Sequence, residues 1–431
     1  MVKIPSMVKP NKWLRIVVPA ISYVVFALFD LLDMFLCLCY RFIDGVKEKN
    51  TNPCYCCKKK SVHGESNEDK LSETLYDRKN MFRDLGFPKL AKDSEEEEGS
   101  ASGFLTVKNR WSDCHCESCL SWKKFEDQNL HVVTKEPSNL KSAHENVIFL
   151  HGFLSSSHLW IENVFRNLSE SGNQNCRLFA MDLLGFGKSP KPNNCLYTIK
   201  DHLEMVEKSV ISQFELGSFH LVAHSIGCII ALGLASKYQN SVKSLTLIAP
   251  PYFPASSKEE ASLNALNMIA ERKLWPPISF CSSIMSGYEH LGRTICFIVC
   301  GHHRTWEWLL KLVTRKRELP YMLLDLTKHT HHSAWHTMHN VICGGAKLMD
   351  GYIEAVSSSQ IMLTVIQGDK DGVIPVECSH NIKLKVPSAE IRILPNANHS
   401  SLILKGKEVF TRELEHIWFS SAEKYNQEDT K

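Results

Sequence analysis

The stretch FHLVAHSIGCIIALGLASKY, residues 219–238, constrains this chain more than any other. Phe219 to Ala223 is an apolar run of strand length, and from Ile226 to Tyr238 apolar residues recur at helical spacing. Between them Ala223, His224, Ser225, Ile226 and Gly227 make a small-x-Ser-x-small turn from strand to helix. Such a turn is so tight that its flanking positions must be small, and it lifts the serine Oγ above the carboxyl edge of a sheet. The following helix presents its N-terminus there, so the Ile226 N–H can face a developing oxyanion. Ala223 stands where the usual pattern has glycine. Ser225 is therefore a candidate nucleophile; the alternative is an ordinary strand–helix turn with an exposed serine.

Four further stretches supply the context. VIFLHGF (147–153) reads as a buried strand that ends at His151, Gly152 and Phe153. LFAMDLLGFGKSPKP carries Asp182, Gly185, Gly187 and Ser189 in a D-x-x-G-x-G-x-S loop. IMLTVIQGDKDGVIP is an apolar strand followed by Gly368, Asp371 and Pro375, and IRILPNANHSSL places His399 just after a short strand. With these motifs the chain, from about residue 104 onward, resembles the α/β-hydrolases: a mostly parallel sheet flanked by helices, with a helical lid inserted before the acid loop. The resemblance implies a triad in the chain order Ser225, Asp371, His399, with Phe153 and Ile226 giving the oxyanion N–H groups. His151, Gly152, Ala223, His224, Gly227 and Asp182 would support those loops. Asp369 also lies in GDKDG, but the spacing to Pro375 selects Asp371. Serine chemistry of this kind calls for no cofactor and no metal.

The implied organisation is an apolar signal or anchor segment (1–45), a Cys-containing polar linker with one helix (46–103), a first core part (104–250), a helical lid (251–350) and a second core part (351–431). Net charge is +3 and nothing resembles a nucleic-acid module, so neither points to a nucleic-acid partner, and no oligomeric state is read from the chain. In the first segment, basic residues precede an apolar run from Ile16 to Tyr40 that is interrupted by Pro19, Asp30 and Asp33. It has the n- and h-regions of a signal peptide without a clean cleavage site. As a spanning helix, each mid-helix aspartate would cost roughly 2.5–3.5 kcal/mol. The expectation is entry to the secretory pathway with retained membrane attachment; the alternative is an apolar helix packed on the enzyme.

Of sixteen cysteines, Cys37, Cys39, Cys54, Cys56, Cys57, Cys114, Cys116 and Cys119 precede the main core. The first five, beside a lysine triplet, fit juxtamembrane acylation. Cys114-His115-Cys116-x-x-Cys119 is open to three readings: disulfides, a zinc site, or thiols. LSETLYDRKNMFRDLGF is long enough for one helix docked on the catalytic domain, KDSEEEEGSASG reads as solvated chain, and Phe104–Lys108 with Leu130–Lys135 read as an entry hairpin. Lid aromatics (Trp275, Phe280, Tyr288, Phe297, Trp306, Trp308, Tyr321, Trp335) suit an apolar substrate or form the lid's own core. In KHTHHSAWHTMHN, His332, His336 and His339 share a helical face, better explained by headgroup contacts or hydrogen-bonded packing than by metal. Asn167 is a candidate glycosylation site; a glycan at Asn398 would obstruct His399, and none is expected there.

The apolar N-terminal run, LYDRKNMFRDLGF and RWSDCHCESCLSW together look like the plant BODYGUARD proteins, a match that covers nearly the whole chain. That resemblance implies a probable lysophospholipase acting on lipid or fatty-acyl esters, associated with cuticle formation at the epidermal cell wall. It also implies a secreted protein, and the retained N-terminal segment would attach it to the plasma membrane. An acyltransferase or polyester synthase with the same triad is the first alternative. A non-catalytic receptor or scaffold on the same fold is the second.

Overall fold

Alternation within one strand sets the layering. In β2 (Glu145–Leu150), Val147 and Phe149 pack with Trp160, Phe165 and Trp418, whereas Ile148 and Leu150 join Ile229, Ile230 and Ile353 on the opposite face. Successive strand side chains point to opposite faces, so a strand apolar at every position must be covered on both. The other strands are β1 (Val132–Lys135), β3 (Cys176–Met181), β4 (Phe219–His224), β5 (Val242–Ile248), β6 (Met362–Gly368) and β7 (Glu390–Leu394). They form one seven-stranded sheet in the order β1-β3-β2-β4-β5-β6-β7. Only β1 runs antiparallel, against β3; every other pairing is parallel. Parallel strands end on one edge, and there the turns after β2, β3, β4, β6 and β7 come together.

This computed structural model describes residues 12–48, 54–57, 71–76, 78, 80–85, 110–121, 129–139, 145–275, 277–404 and 406–428. The helices that position the site are α1 (Lys12–Glu48), α2 (Ile226–Lys237), α3 (Lys258–Ile269), α4 (Pro277–Gly287), α5 (Glu289–Val299), α6 (His303–Thr314), α7 (His331–Thr337) and α8 (Lys407–Glu428). α3 to α7 form an insertion between β5 and β6, within the stretch 251–350. The return helix Met349–Ser357 packs on α2 and belongs to the sheet layer.

The apolar N-terminal run is one helix with two different sides. Its inner side docks on the insertion through Phe26, which packs with Phe280 and Tyr288. The aspartates that argued against a simple membrane span are buried and paired. Asp30 accepts from Arg272 at 2.8 Å and from the Met81 N–H at 3.1 Å. Asp33 accepts from the His290 and Leu291 N–H groups at 2.9 and 3.1 Å, capping α5 from a different helix, and from Arg83 at 3.2 Å. Asp44 holds Arg293 through two bonds, at 2.6 and 2.8 Å. Buried carboxylates persist only with such partners. The outer side leaves Val24, Leu28, Leu31, Phe35, Leu38 and Phe42 exposed, and the helix is long and apolar enough to cross a membrane by length and composition.

Two expectations need correction here. The tract 71–87 is not one helix: its described residues form a short turn at Glu73–Leu75 and a separate turn at Met81–Asp84. Ser72 and Asn80 cap these turns with their own side chains, Asn80 accepting from the Phe82 and Arg83 N–H groups. A side chain that serves the backbone this way starts a new helix instead of continuing an old one. The tract packs on the insertion, with Thr74 bonded to His339 at 2.9 Å. Cys54 and Cys56 are joined in a disulfide and Cys37 is buried beside them, so these three sulfurs do not suit acylation. Asn167, the candidate glycosylation site, is half-buried and uses one of its two amide N–H groups on the Asn163 carbonyl at 3.0 Å. The strand expected at 104–108, the acidic run and the Cys57 side chain lie outside the described residues; Val132–Lys135 is present but pairs with β3.

Candidate active site

The turn after β4 holds Ser225 at φ 54°, a left-handed conformation that a serine adopts at a cost. Close approach explains its small neighbours. A Cβ on Gly227 would lie 2.8 Å from both the Leu150 and His151 carbonyl oxygens, and one on Gly152 would lie 2.8 Å from His224 Nδ1. The turns after β2 and β4 therefore touch backbone to backbone, and Ala223, buried within β4, fits where glycine was usual.

His151 is the strut of the first turn. Its Nε2 accepts the Leu183 N–H at 2.8 Å, so Nδ1 carries the proton and donates to the Gly152 carbonyl at 2.7 Å. Burial holds the ring neutral by lowering its pKa. Asp182 anchors the next loop, accepting from the Ser157 and Lys188 N–H groups, both at 2.7 Å. Burial pushes its pKa up, but the hydrogen-bond donors around it outweigh that and leave the carboxyl below its usual value.

After β6 and β7 the expected acid and histidine meet. His399 Nδ1 lies 2.8 Å from Asp371 Oδ2, and Asp371 Oδ1 accepts the Val373 and Ile374 N–H groups, each at 2.9 Å. Burial raises the Asp371 pKa; the His399 hydrogen bond, that ring's charge and the two N–H groups override it, and the net shift is downward. A carboxylate at Nδ1 leaves Nε2 as the basic atom of His399. Asp369 is exposed.

Ser225, His399, His224, Phe153, Ile226 and Gly152 all line one cavity of about 630 Å³. Much of its remaining wall is apolar and comes from the insertion, including Met268, Met285, Trp335, Met338 and Ile342. Met268, Ile278, Met322 and Leu326 line the cavity and are also exposed, giving it an apolar rim. Of the eight aromatics singled out in the sequence, Trp335 alone lines it. Phe280 and Tyr288 instead hold α1, while Trp275 and Trp308 are exposed, at 76% and 62%. The wall is built of methionine and aliphatic residues dispersed through the sequence, and no motif marks them.

Two site residues carried weaker signals. His224 packs its ring 4.7 Å from that of His399, and burial together with this neighbour lowers its pKa to about 3. Asp325, within the insertion, accepts from Ser156 at 2.6 Å and so ties the insertion to the loop that follows Phe153. The insertion histidines do not converge. His332 bonds the Cys195 carbonyl at 2.8 Å, His339 bonds Thr74, and His336 packs against His332. Hydrogen-bonded packing accounts for all three.

The sequence profile of a family described as alpha/beta hydrolase fold matches residues 145–274. Over 420 residues the chain is 46% identical to "Probable lysophospholipase BODYGUARD 4" of Arabidopsis thaliana, spanning 95% of this chain and 99% of that one. It is 46% identical over 426 residues to "Probable lysophospholipase BODYGUARD 5" of the same plant, spanning 94% and 95%. Among solved structures, MenH from S. aureus aligns with a TM-score of 0.48 at 15% identity, over 68% of this chain and 99% of that one.

Proposed function

The chain belongs to the BODYGUARD family of α/β-hydrolases and is an ester hydrolase, and on that footing we propose that Ser225, His399 and Asp371 cleave fatty-acyl esters of the lysophospholipid type. His399 Nε2 takes the proton from Ser225 Oγ as the oxygen attacks the ester carbonyl. Asp371 keeps the imidazole in the competent tautomer and stabilises its charged form. The Phe153 and Ile226 N–H groups receive the oxyanion. Collapse breaks the ester C–O bond, and the departing alcohol takes its proton from His399. Water then repeats the sequence on the acyl-enzyme and releases the fatty acid. The helical insertion serves as a lid, and its apolar wall accommodates the acyl chain in a cavity of ordinary ligand size, about 300–1,000 Å³. His331 lines the same cavity, and its Nε2 has no hydrogen-bond partner among the described residues, which suits a contact to a polar headgroup.

The observation that carries this reading is the 2.8 Å pairing of His399 with Asp371 in the wall of the cavity that also holds Ser225. A fluorophosphonate probe tests it. The folded protein is expected to label stoichiometrically, and Ser225→Ala to lose both the label and hydrolysis of lysophosphatidylcholine. Folded parent protein that does not label would instead favour a non-catalytic scaffold.

We further propose a location at a membrane surface of the secretory pathway and cell wall, a reading that the outer side of α1 supports. Its exposed apolar row and the apolar rim of the cavity both suit a lipid surface. Cys39, half-buried beside Leu38, and Cys57 remain the acylation candidates of the original five. Phe35→Asp/Leu38→Asp/Phe42→Asp is expected to move most of the protein from the membrane pellet to the soluble fraction while fluorophosphonate labelling persists. Unchanged sedimentation would mean that this face holds nothing.

A further inference from the structure

Four donors from two distant stretches converge beside α1. Cys114, Cys116 and Cys119 lie within the segment 110–121, His303 opens α6, and their ligand atoms all fall within 4.8 Å of one another. Cys116 Sγ and Cys119 Sγ each lie 3.5 Å from His303 Nε2. A tetrahedral zinc that holds thiolates at about 2.3 Å and an imidazole at about 2.0–2.1 Å sets such ligand pairs about 3.5–3.6 Å apart. The observed separations match the edge of that polyhedron.

The surroundings fit as well. His303 Nδ1 lies 2.9 Å from Glu307 Oε1, one helical turn further on. A carboxylate behind a metal-binding imidazole takes the Nδ1 proton, turns the ring and leaves Nε2 as the lone pair. Cys114 Sγ accepts the Cys116 N–H at 3.4 Å, a contact that favours the thiolate form. A single disulfide would use two of these sulfurs and leave the third, and the oriented His303, unexplained. His115, the histidine inside the sequence motif, is exposed and is not one of the four.

We propose that Cys114, Cys116, Cys119 and His303 bind one zinc ion in a closed, structural site that pins the segment 110–121 to the helical insertion. Soft sulfur donors with one imidazole select zinc, and four protein ligands leave no position open for a reacting water. On binding, the three thiols release their protons and the imidazole binds as the neutral ring. The ion joins residues 184 positions apart, so it closes a long loop. It also fastens α1, because Trp111 of the same segment donates to Asp44 at 2.6 Å and to Glu48 at 3.0 Å. Two other Cys/His groups differ. The group of Cys37, Cys54, Cys56 and His290 contains the disulfide, and that of Cys296, Cys300 and His329 offers three donors.

The test uses the full-length protein expressed with zinc supplied and then dialysed. Elemental analysis is expected to find one zinc per chain more in the parent than in Cys114→Ser/Cys116→Ser/Cys119→Ser. Cobalt in place of zinc should give a thiolate-to-cobalt charge-transfer band in the parent and none in the variant. Glu307→Gln keeps all four ligands and should release zinc to a competing chelator about 10- to 100-fold more readily. Equal zinc in parent and triple variant, or a disulfide among the three cysteines in zinc-supplied parent protein, overturns the proposal. Should the triple variant not fold, Glu307→Gln decides alone, and chelator resistance equal to the parent's overturns it.

Discussion

Asp371→Asn is expected to lower kcat by about 10⁴-fold while leaving the fold intact. The reason lies in which oxygen is already committed. Asp371 Oδ1 accepts two backbone N–H groups, from Val373 and Ile374, so an asparagine must keep its carbonyl oxygen there. Its amide nitrogen would then face His399 Nδ1, the position of Asp371 Oδ2. An N–H donor at that point forces Nδ1 to accept, which puts the ring proton on Nε2, the atom proposed to take the serine's proton. Asp369→Asn, at an exposed position, should retain parental turnover. Steady-state kinetics on a lysophospholipid, with circular dichroism to check folding, measures both. Retained activity in Asp371→Asn with loss in Asp369→Asn would reassign the acid.

Acidification is expected to destabilise the protein steeply from about pH 6.5 downward, before its carboxylates begin to titrate. Burial lowers the pKa of His202 and of His336 to about 4 and that of His224 to about 3. Above about pH 6.5 these rings are neutral in both the native and the unfolded chain, so they contribute no pH dependence. Below it the unfolded chain binds protons that the native state refuses, and stability falls until the pH reaches the native values. Each such histidine costs about 1.4 kcal/mol per pH unit across that window, and three together about 4 kcal/mol per unit. Against a typical total of about 5–15 kcal/mol, that slope exhausts the fold within a few units. Urea midpoints at pH 7.5, 6.0 and 5.0 measure it. His202 has no hydrogen-bond partner at either ring nitrogen among the described residues, so His202→Leu should remove about a third of the slope. Midpoints that do not move between pH 7.5 and 5.0 would show that these rings are not held neutral.

The candidate site was legible because each of its parts is a local pattern. A strand, a tight turn and a helix within residues 219–238 suffice to place Ser225, and the same holds for the turns that carry His151, Asp182, Asp371 and His399. The order and parallel pairing of the strands then bring these turns to one edge, an arrangement that the resemblance to the α/β-hydrolases already implied. Length alone misled at 71–87, where the tract was long enough for one helix but is interrupted by capping from Ser72 and Asn80.

The sequence by itself determined the hydrolase core, the chain order of its candidate site residues and the presence of an apolar first helix. Only the tertiary structure decided how that helix sits and what covers the cavity. Asp30 and Asp33 read only as a cost to a membrane span, because their partners Arg272 and His290 stand 242 and 257 residues away. His303, 184 residues beyond Cys119, was equally out of sight of the cysteine motif it completes. Spacing along a chain reports neighbours within a turn or a strand. A buried charge or a group of ligands depends on what the fold places opposite, and no local pattern carries that information.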